Sequence, residues 1–134
     1  MRTGSRHYRV TLKDILEAHK LAIVDGGLEG VRDLGAIEAA IARPYSGYYR
    51  SIAGKAAALV HSLALNHGFI DANKRTTLYA CQLLVMRSGY NLPAGDLRTV
   101  NQEMEEMIVA VVEHRMDFDA LVAWFAARIV RSDD

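Results

Sequence analysis

The sequence predicts an all-α fold, a single compact bundle of about six helices spanning residues 1–134 as one domain. Apolar residues recur at i, i+3 and i+4 through most of the chain, and only two prolines, Pro44 and Pro93, interrupt it. No stretch alternates well enough for a strand, except a few residues around Tyr48, which read as an exposed loop or a short flap hairpin.

The first helix carries Leu12, Ile15, Leu16, His19 and Ile23 on one stripe, with Thr11 and Asp14 spaced as a capping box. Asp25, Gly26 and Gly27 stop it. A second, short helix fits residues 33–42, capped by Asp33 and ended at the step from Arg43 to Pro44. Residues 45–51 then hold three tyrosines, Tyr45, Tyr48 and Tyr49, beside Gly47. The third helix is expected over residues 52–66, with Ala56, Leu59, Val60, Leu63 and His67 on one stripe. After a loop over residues 67–72, the fourth begins near Asn73 and runs to Gly89, burying Leu78, Cys81, Leu84 and Val85. The fifth is expected over residues 96–113, with Leu97, Val100, Met104, Met107, Ile108 and Val111 inward. Asp117 caps the sixth, which buries Phe118, Leu121, Val122 and Phe125.

Composition narrows the function classes. Of 134 residues 51% are hydrophobic, enough for an ordinary core, while 16 basic and 16 acidic residues cancel. That balance gives no broad positive field, so direct nucleic-acid binding is not expected. The single cysteine, Cys81, cannot form an internal disulfide, which fits a reducing compartment. The first eight residues are polar and basic with no apolar run behind them, unlike a signal peptide. The longest nearly uncharged stretch, residues 56–70, is too short to span a bilayer. A soluble, cytoplasmic protein is expected, without membrane attachment.

One stretch gathers chemistry: His67, Gly68, Phe69, Ile70, Asp71, Ala72, Asn73, Lys74 and Arg75. It places a loop at the N-terminus of the fourth helix, where unpaired N–H groups and the helix dipole attract anions. Lys74 and Arg75 fall in that first turn, where the dipole opposes cations unless an anion is bound. Phosphate suits them, since a guanidinium grips two oxygens at once. Asp71 supplies a carboxylate suited to a magnesium ion bridging phosphate oxygens. His67 is the side chain there that titrates near neutrality, as a general base must. Taken singly, each has a plain structural reading: Asp71 or Asn73 as an N-cap, His67 as a core histidine, Lys74 and Arg75 as solvated charges. Those readings together leave the clustering of a base, an acid and two cations within nine residues as coincidence.

The stretch resembles the signature of the Fic/Doc family: a histidine, a phenylalanine, an acidic residue, a small residue, an asparagine and a terminal arginine. Here these are His67, Phe69, Asp71, Ala72, Asn73 and Arg75. Lys74 resembles the death-on-curing (Doc) branch, where it replaces a glycine. Residues 26–33 and 37–44 are similar to the N-terminal pattern of Doc-like proteins, so the resemblance covers most of the chain.

The resemblance implies a toxin of a toxin–antitoxin module that uses ATP and Mg2+. Doc-like members move the terminal phosphate of ATP onto a threonine of translation elongation factor Tu and stop translation; Fic-type members usually transfer AMP. Carried over, His67 takes the proton of the attacking hydroxyl and Asp71 holds the metal. Asn73 and the backbone from Ala72 orient the phosphates, while Lys74 and Arg75 bind them. Phe69 is expected to be buried and to fix the loop. A lysine at position 74 fills the space a glycine leaves along the phosphates. The nucleotide would then lie reversed, presenting its terminal phosphate. AMP transfer, or a non-catalytic module that binds a nucleotide or partner, are the alternatives.

The Fic self-inhibitory motif is absent: Thr99 and Glu103 have its spacing, but Met104 follows. A separate small antitoxin with a disordered inhibitory tail is therefore implied. Residues 45–51 would be the flap that docks the target, with Tyr48 and Tyr49 as contacts, or else an aromatic loop packed on its own bundle. Gly68 stands where many relatives have proline and is expected to loosen the loop. Other motifs fail. Residues 50–56 lack the first glycine and final hydroxyl of a phosphate loop, and His61 and His67 are wrongly spaced for paired zinc ligands. His19, Cys81 and Trp124 read as packing residues.

Overall fold

The computed structural model describes residues 6–92 and 97–132, with the side chains of residues 97–101 left aside. Among them are six α-helices: α1 (Leu12–Ala22), α2 (Leu34–Ala42), α3 (Ile52–Asn66), α4 (Asn73–Arg87), α5 (Leu97–Val112) and α6 (Phe118–Arg128). A 3-10 turn, Arg43–Tyr45, extends α2. The helical bundle is the fold class the periodicity predicts. The expected helix start at Asp96 and the inward faces of Leu97 and Val100 lie outside the described residues.

Helix α3 is the axis of the bundle. Every residue from Ile52 to Val60 is buried, as are Ser62, Leu63 and Ala64, and α2, α4, α5 and α6 all pack around it. A helix made mostly of small and apolar residues around its whole circumference belongs in a core. Its small residues, Gly54, Ala56, Ala57 and Ala58, bring the neighbouring helices close. Ile15, Ile37, Leu84, Ile108, Leu121 and Phe125 complete the interior from the surrounding helices. The capping box at Thr11 and Asp14 is present, with Asp14 N donating to Thr11 Oγ1 at 3.1 Å and Thr11 N to Asp14 Oδ2 at 3.0 Å.

The hairpin expected near Tyr48 is not formed. Two short strands occur elsewhere, β1 (Tyr90–Asn91) antiparallel to β2 (Val130–Arg131), and tie the end of α4 to the chain after α6. Two-residue strands hold no alternation for a sequence pattern to display. Among the described residues no helix is long and apolar enough to cross a membrane.

Candidate active site

The loop from α3 to α4 is held open by backbone geometry at both ends. His67, the C-cap of α3, is left-handed at φ 49°, ψ 51°, and Ala72, the N-cap of α4, is left-handed at φ 61°, ψ 31°. Between them the chain runs beside residues 30–33. Arg32 N and Asp33 N both donate to Gly68 O, at 2.8 and 3.0 Å, and Ile70 N donates to Gly30 O at 3.1 Å. An isolated bridge pairs Val31 with Phe69.

Phe69 is 2% exposed, and its ring stacks on His19 with centroids 3.9 Å apart and planes 12° from parallel. Asn73 clips the same residue from the other side. Its Oδ1 accepts from Phe69 N at 3.0 Å and its Nδ2 donates to Phe69 O at 2.9 Å. The amide of Asn73 is thus used to shape the loop rather than to reach into solvent. Thr76 gives its one hydroxyl proton to Ala72 O at 2.8 Å, so His19 Nδ1, 3.1 Å from Thr76 Oγ1, is the donor of that pair. His19 Nε2 is then a buried acceptor without a partner among the described residues. Burial holds His19 below its ordinary pKa, despite the opposing pull of Asp71 and Glu29.

Helices α1, α2, α3 and α6 each begin with a side-chain cap, from Thr11, Asp33, Ser51 and Asp117. Helix α4 has none. Asp71 lies one residue too early and accepts instead from Leu28 N at 3.0 Å and Ala72 N at 2.8 Å. Those two N–H groups, with the charge of Arg75, hold its carboxyl below the usual range. Gly27 makes the approach possible, since a Cβ there would stand 3.3 Å from Asp71 Oδ2 and the residue has φ +129°. The capping readings of Asp71 and Asn73 are therefore replaced by clips on residues 28 and 69. The first-turn donors of α4 stay open to a ligand.

These groups face a cleft of about 490 Å³. His67, Asp71, Ala72, Asn73, Lys74 and Arg75 all line it, and the structure brings every site residue expected from sequence to one place. His67 is exposed, not a core histidine. Lys74 is exposed and makes no hydrogen bond or ion pair among the described residues. Arg75 is tethered by Nη1 to Ala22 O at the end of α1, which leaves its other N–H groups for a ligand. The opposite wall, from α5, supplies Glu105, Ile108, Val109 and Val112. Sequence reading missed Glu105, Val109 and Val112; their only signal was an amphipathic face on a distant helix.

Two expectations are corrected. Residues 45–51 cannot flank the site. They precede α3 while His67 follows it, about 24 Å apart by helical rise, and none of them lines the cleft. Tyr49 packs on Phe118 with ring centroids 5.6 Å apart and accepts from Arg43 Nε at 3.1 Å; Tyr48 is exposed. The segment beside the motif is residues 27–33. Gly68, in turn, does not loosen the loop, because it is a buried point of close approach to Ile37.

The central helix of the bundle delivers a histidine beside an uncapped, cationic helix N-terminus, and the chain belongs to the Fic/Doc family. The family's sequence model, described as the Fic/DOC family, matches residues 9–85, which covers α1 to most of α4. Among known proteins, the chain is similar to Toxin Doc of Mycolicibacterium smegmatis (strain ATCC 700084 / mc(2)155). The two are 36% identical over 119 residues, which is 85% of this chain and 88% of that protein.

Proposed function

We propose that this protein is a toxin-type phosphotransferase that moves the terminal phosphate of ATP onto a threonine or serine hydroxyl of a protein target. The open N-terminus of α4, joined by Lys74, Arg75 and His67 around one cleft, carries this reading. The likeness to a protein named Toxin Doc supports it.

His67 takes the proton of the attacking hydroxyl, whose oxygen then bonds to the terminal phosphorus. The bond from phosphorus to the bridging oxygen breaks, and ADP leaves. Lys74, the free N–H groups of Arg75 and the first-turn donors of α4 oppose the charge gathered on the phosphates. Positioning and charge stabilisation are most of what phosphoryl transfer asks of a protein. Among the described residues no three His, Cys, Asp or Glu side chains converge on a metal position. Magnesium commonly relies on one or two carboxylates plus phosphate oxygens and water. Asp71 fits that need, because each of its oxygens accepts one backbone bond and keeps acceptor capacity. Magnesium bound there would neutralise phosphate charge.

Leu28, Val31, Leu34 and Ile70 are exposed apolar side chains beside the loop. They make residues 27–34 the surface on which a target segment docks, in place of residues 45–51. Elongation factor Tu in the cytoplasm is the target this reading expects, with a separate antitoxin as the restraint. The test uses ATP labelled on its terminal phosphate, or on the phosphate next to ribose, with bacterial extract and a His67→Ala control. Terminal label on a band of elongation-factor size, lost in the variant, is the expected result. Ribose-side label means AMP transfer; no label with either means a binding module.

A further inference from the structure

A second cleft, of about 570 Å³, opens at the other end of α3 and is walled by Arg6, His7, Tyr45, Tyr49, Arg50 and Lys55. It shares no lining residue with the first. Lys55 lies about 18 Å along α3 from His67, at 1.5 Å per residue. The chain as a whole is neutral, yet among the described residues every charged group lining this cleft is basic. Arg6 and Arg50 form no ion pair among the described residues.

The hydrogen bonds sort the cleft further. Lys55 is only 7% exposed, and its Nζ stands 2.7 Å from His7 Nδ1. An ammonium has only protons to give, so His7 Nδ1 accepts and the ring proton sits on Nε2. That Nε2–H is buried without an acceptor among the described residues. The tyrosine hydroxyls are already engaged: Tyr45 Oη donates to Tyr8 O at 2.7 Å and accepts from Val10 N at 2.9 Å, and Tyr49 Oη accepts from Arg43. Lys55 Nζ also lies 3.5 Å from Arg50 O, so Lys55 is engaged within the chain and contributes its charge, while Arg6 and Arg50 bring the donors that meet a ligand. Burial lowers the pKa of His7, helped by the Lys55 charge, and burial also lowers that of Lys55. The first shift favours the neutral His7 ring that the hydrogen bond assigns, and the second marks an ammonium held out of water.

We infer that this cleft binds the phosphate group of a small phosphorylated molecule, gripped by Arg6 and Arg50 beside the Nε2–H of His7 and within the field of the Lys55 ammonium. A phosphate accepts on three terminal oxygens and carries close to two negative charges, which suits a donor-only site with three cations better than a single carboxylate does. The volume falls within the range of small-molecule sites. The inference does not depend on the chemistry proposed at His67.

Isotope-labelled protein titrated with inorganic phosphate, and separately with AMP, at constant ionic strength in chloride, tests this by NMR. The Lys74→Ala variant serves as background to weaken binding in the other cleft. Saturating shifts at His7, Gly47, Arg50 and Lys55 are expected, with a Kd of about 1 mM or tighter. The exposed Arg50→Gln change should weaken binding about tenfold, and Arg6→Gln in the same direction. Equal affinity for both ligands assigns the site to free phosphate; tighter AMP binding assigns it to a phosphate ester. Shifts reproduced by chloride alone, shifts confined to residues 67–75, a response to acetate but not phosphate, or full affinity in Arg50→Gln overturns the inference.

Discussion

Replacing Gly68 with alanine tests how tightly the loop between α3 and α4 is seated. The residue lacks a left-handed φ, so conformation alone does not demand glycine. Space does: a Cβ at position 68 would stand 2.4 Å from Ile37 Cγ1 and 3.1 Å from its Cδ1, against an optimum near 3.5–4.0 Å for carbon pairs. Neither side can give way easily. Ile37 is 1% exposed, and Gly68 O is held by two N–H groups. Overpacking of this kind costs about 1–3 kcal/mol. The stiffer unfolded chain of alanine returns roughly 0.4–1 kcal/mol. Because a 2.4 Å contact is severe overpacking, Gly68→Ala should lose about 0.5–2.5 kcal/mol, read by urea denaturation with an unchanged m value. Ile37→Ala alone should lose about 2–5 kcal/mol, from the cavity it leaves. In the double variant the new methyl enters that vacated space, so the combined loss should fall short of the sum by about 1 kcal/mol. A Gly68→Ala protein within about 0.5 kcal/mol of the parent, or strict additivity, would refute the steric account.

Three further outcomes follow from the titrating groups. Asp71 has a lowered folded pKa because Leu28 N and Ala72 N donate to it, so its contribution is present above the usual carboxylate range and is lost as pH falls through the folded value. The stability gap between the parent and Asp71→Asn should shrink over that window, and a gap independent of pH would contradict the clip. His19 is held below 6.5 by burial, so the unfolded chain takes up its proton first. Stability should drop as pH falls from about 6.5 toward the folded value, and His19→Gln should flatten that drop in urea midpoints measured across the same range. Cys81 is fully buried, with its thiol pushed up to about 12. A thiol-reactive dye should label it at the rate of unfolding; fast labelling of the native protein would place it outside the core.

Much of the architecture was readable because local signals agreed. Ser51 ahead of a largely apolar helix, and a histidine after it, give α3 the bounds the sequence predicts, and Asp33 and Asp117 mark their helices by side-chain caps. The site residues were readable because they fall within nine positions, so one loop must gather them. What escaped depends on distant parts of the chain. The role of Gly68 is set by Ile37, thirty-one positions earlier, and the far wall of the cleft comes from α5. The tyrosines at residues 45–51 drew attention by composition, yet the length of α3 places them at the wrong end of the molecule. Asn73 has one amide to use, and the backbone of Phe69 takes it, which no spacing rule reveals.

Two left-handed residues that are not glycine, His67 and Ala72, bracket the loop, and such conformations persist only where their surroundings impose them. The nine-residue signature is therefore not a portable peptide. Grafted between two helices of another protein, it would keep its chemical groups and lose their arrangement. Its shape is written elsewhere: in the ring of His19, the side chain of Ile37, the amide of Leu28 and the carbonyl of Ala22. A designer who borrows the site must borrow α1, residues 27–33 and the first turn of α2 with it.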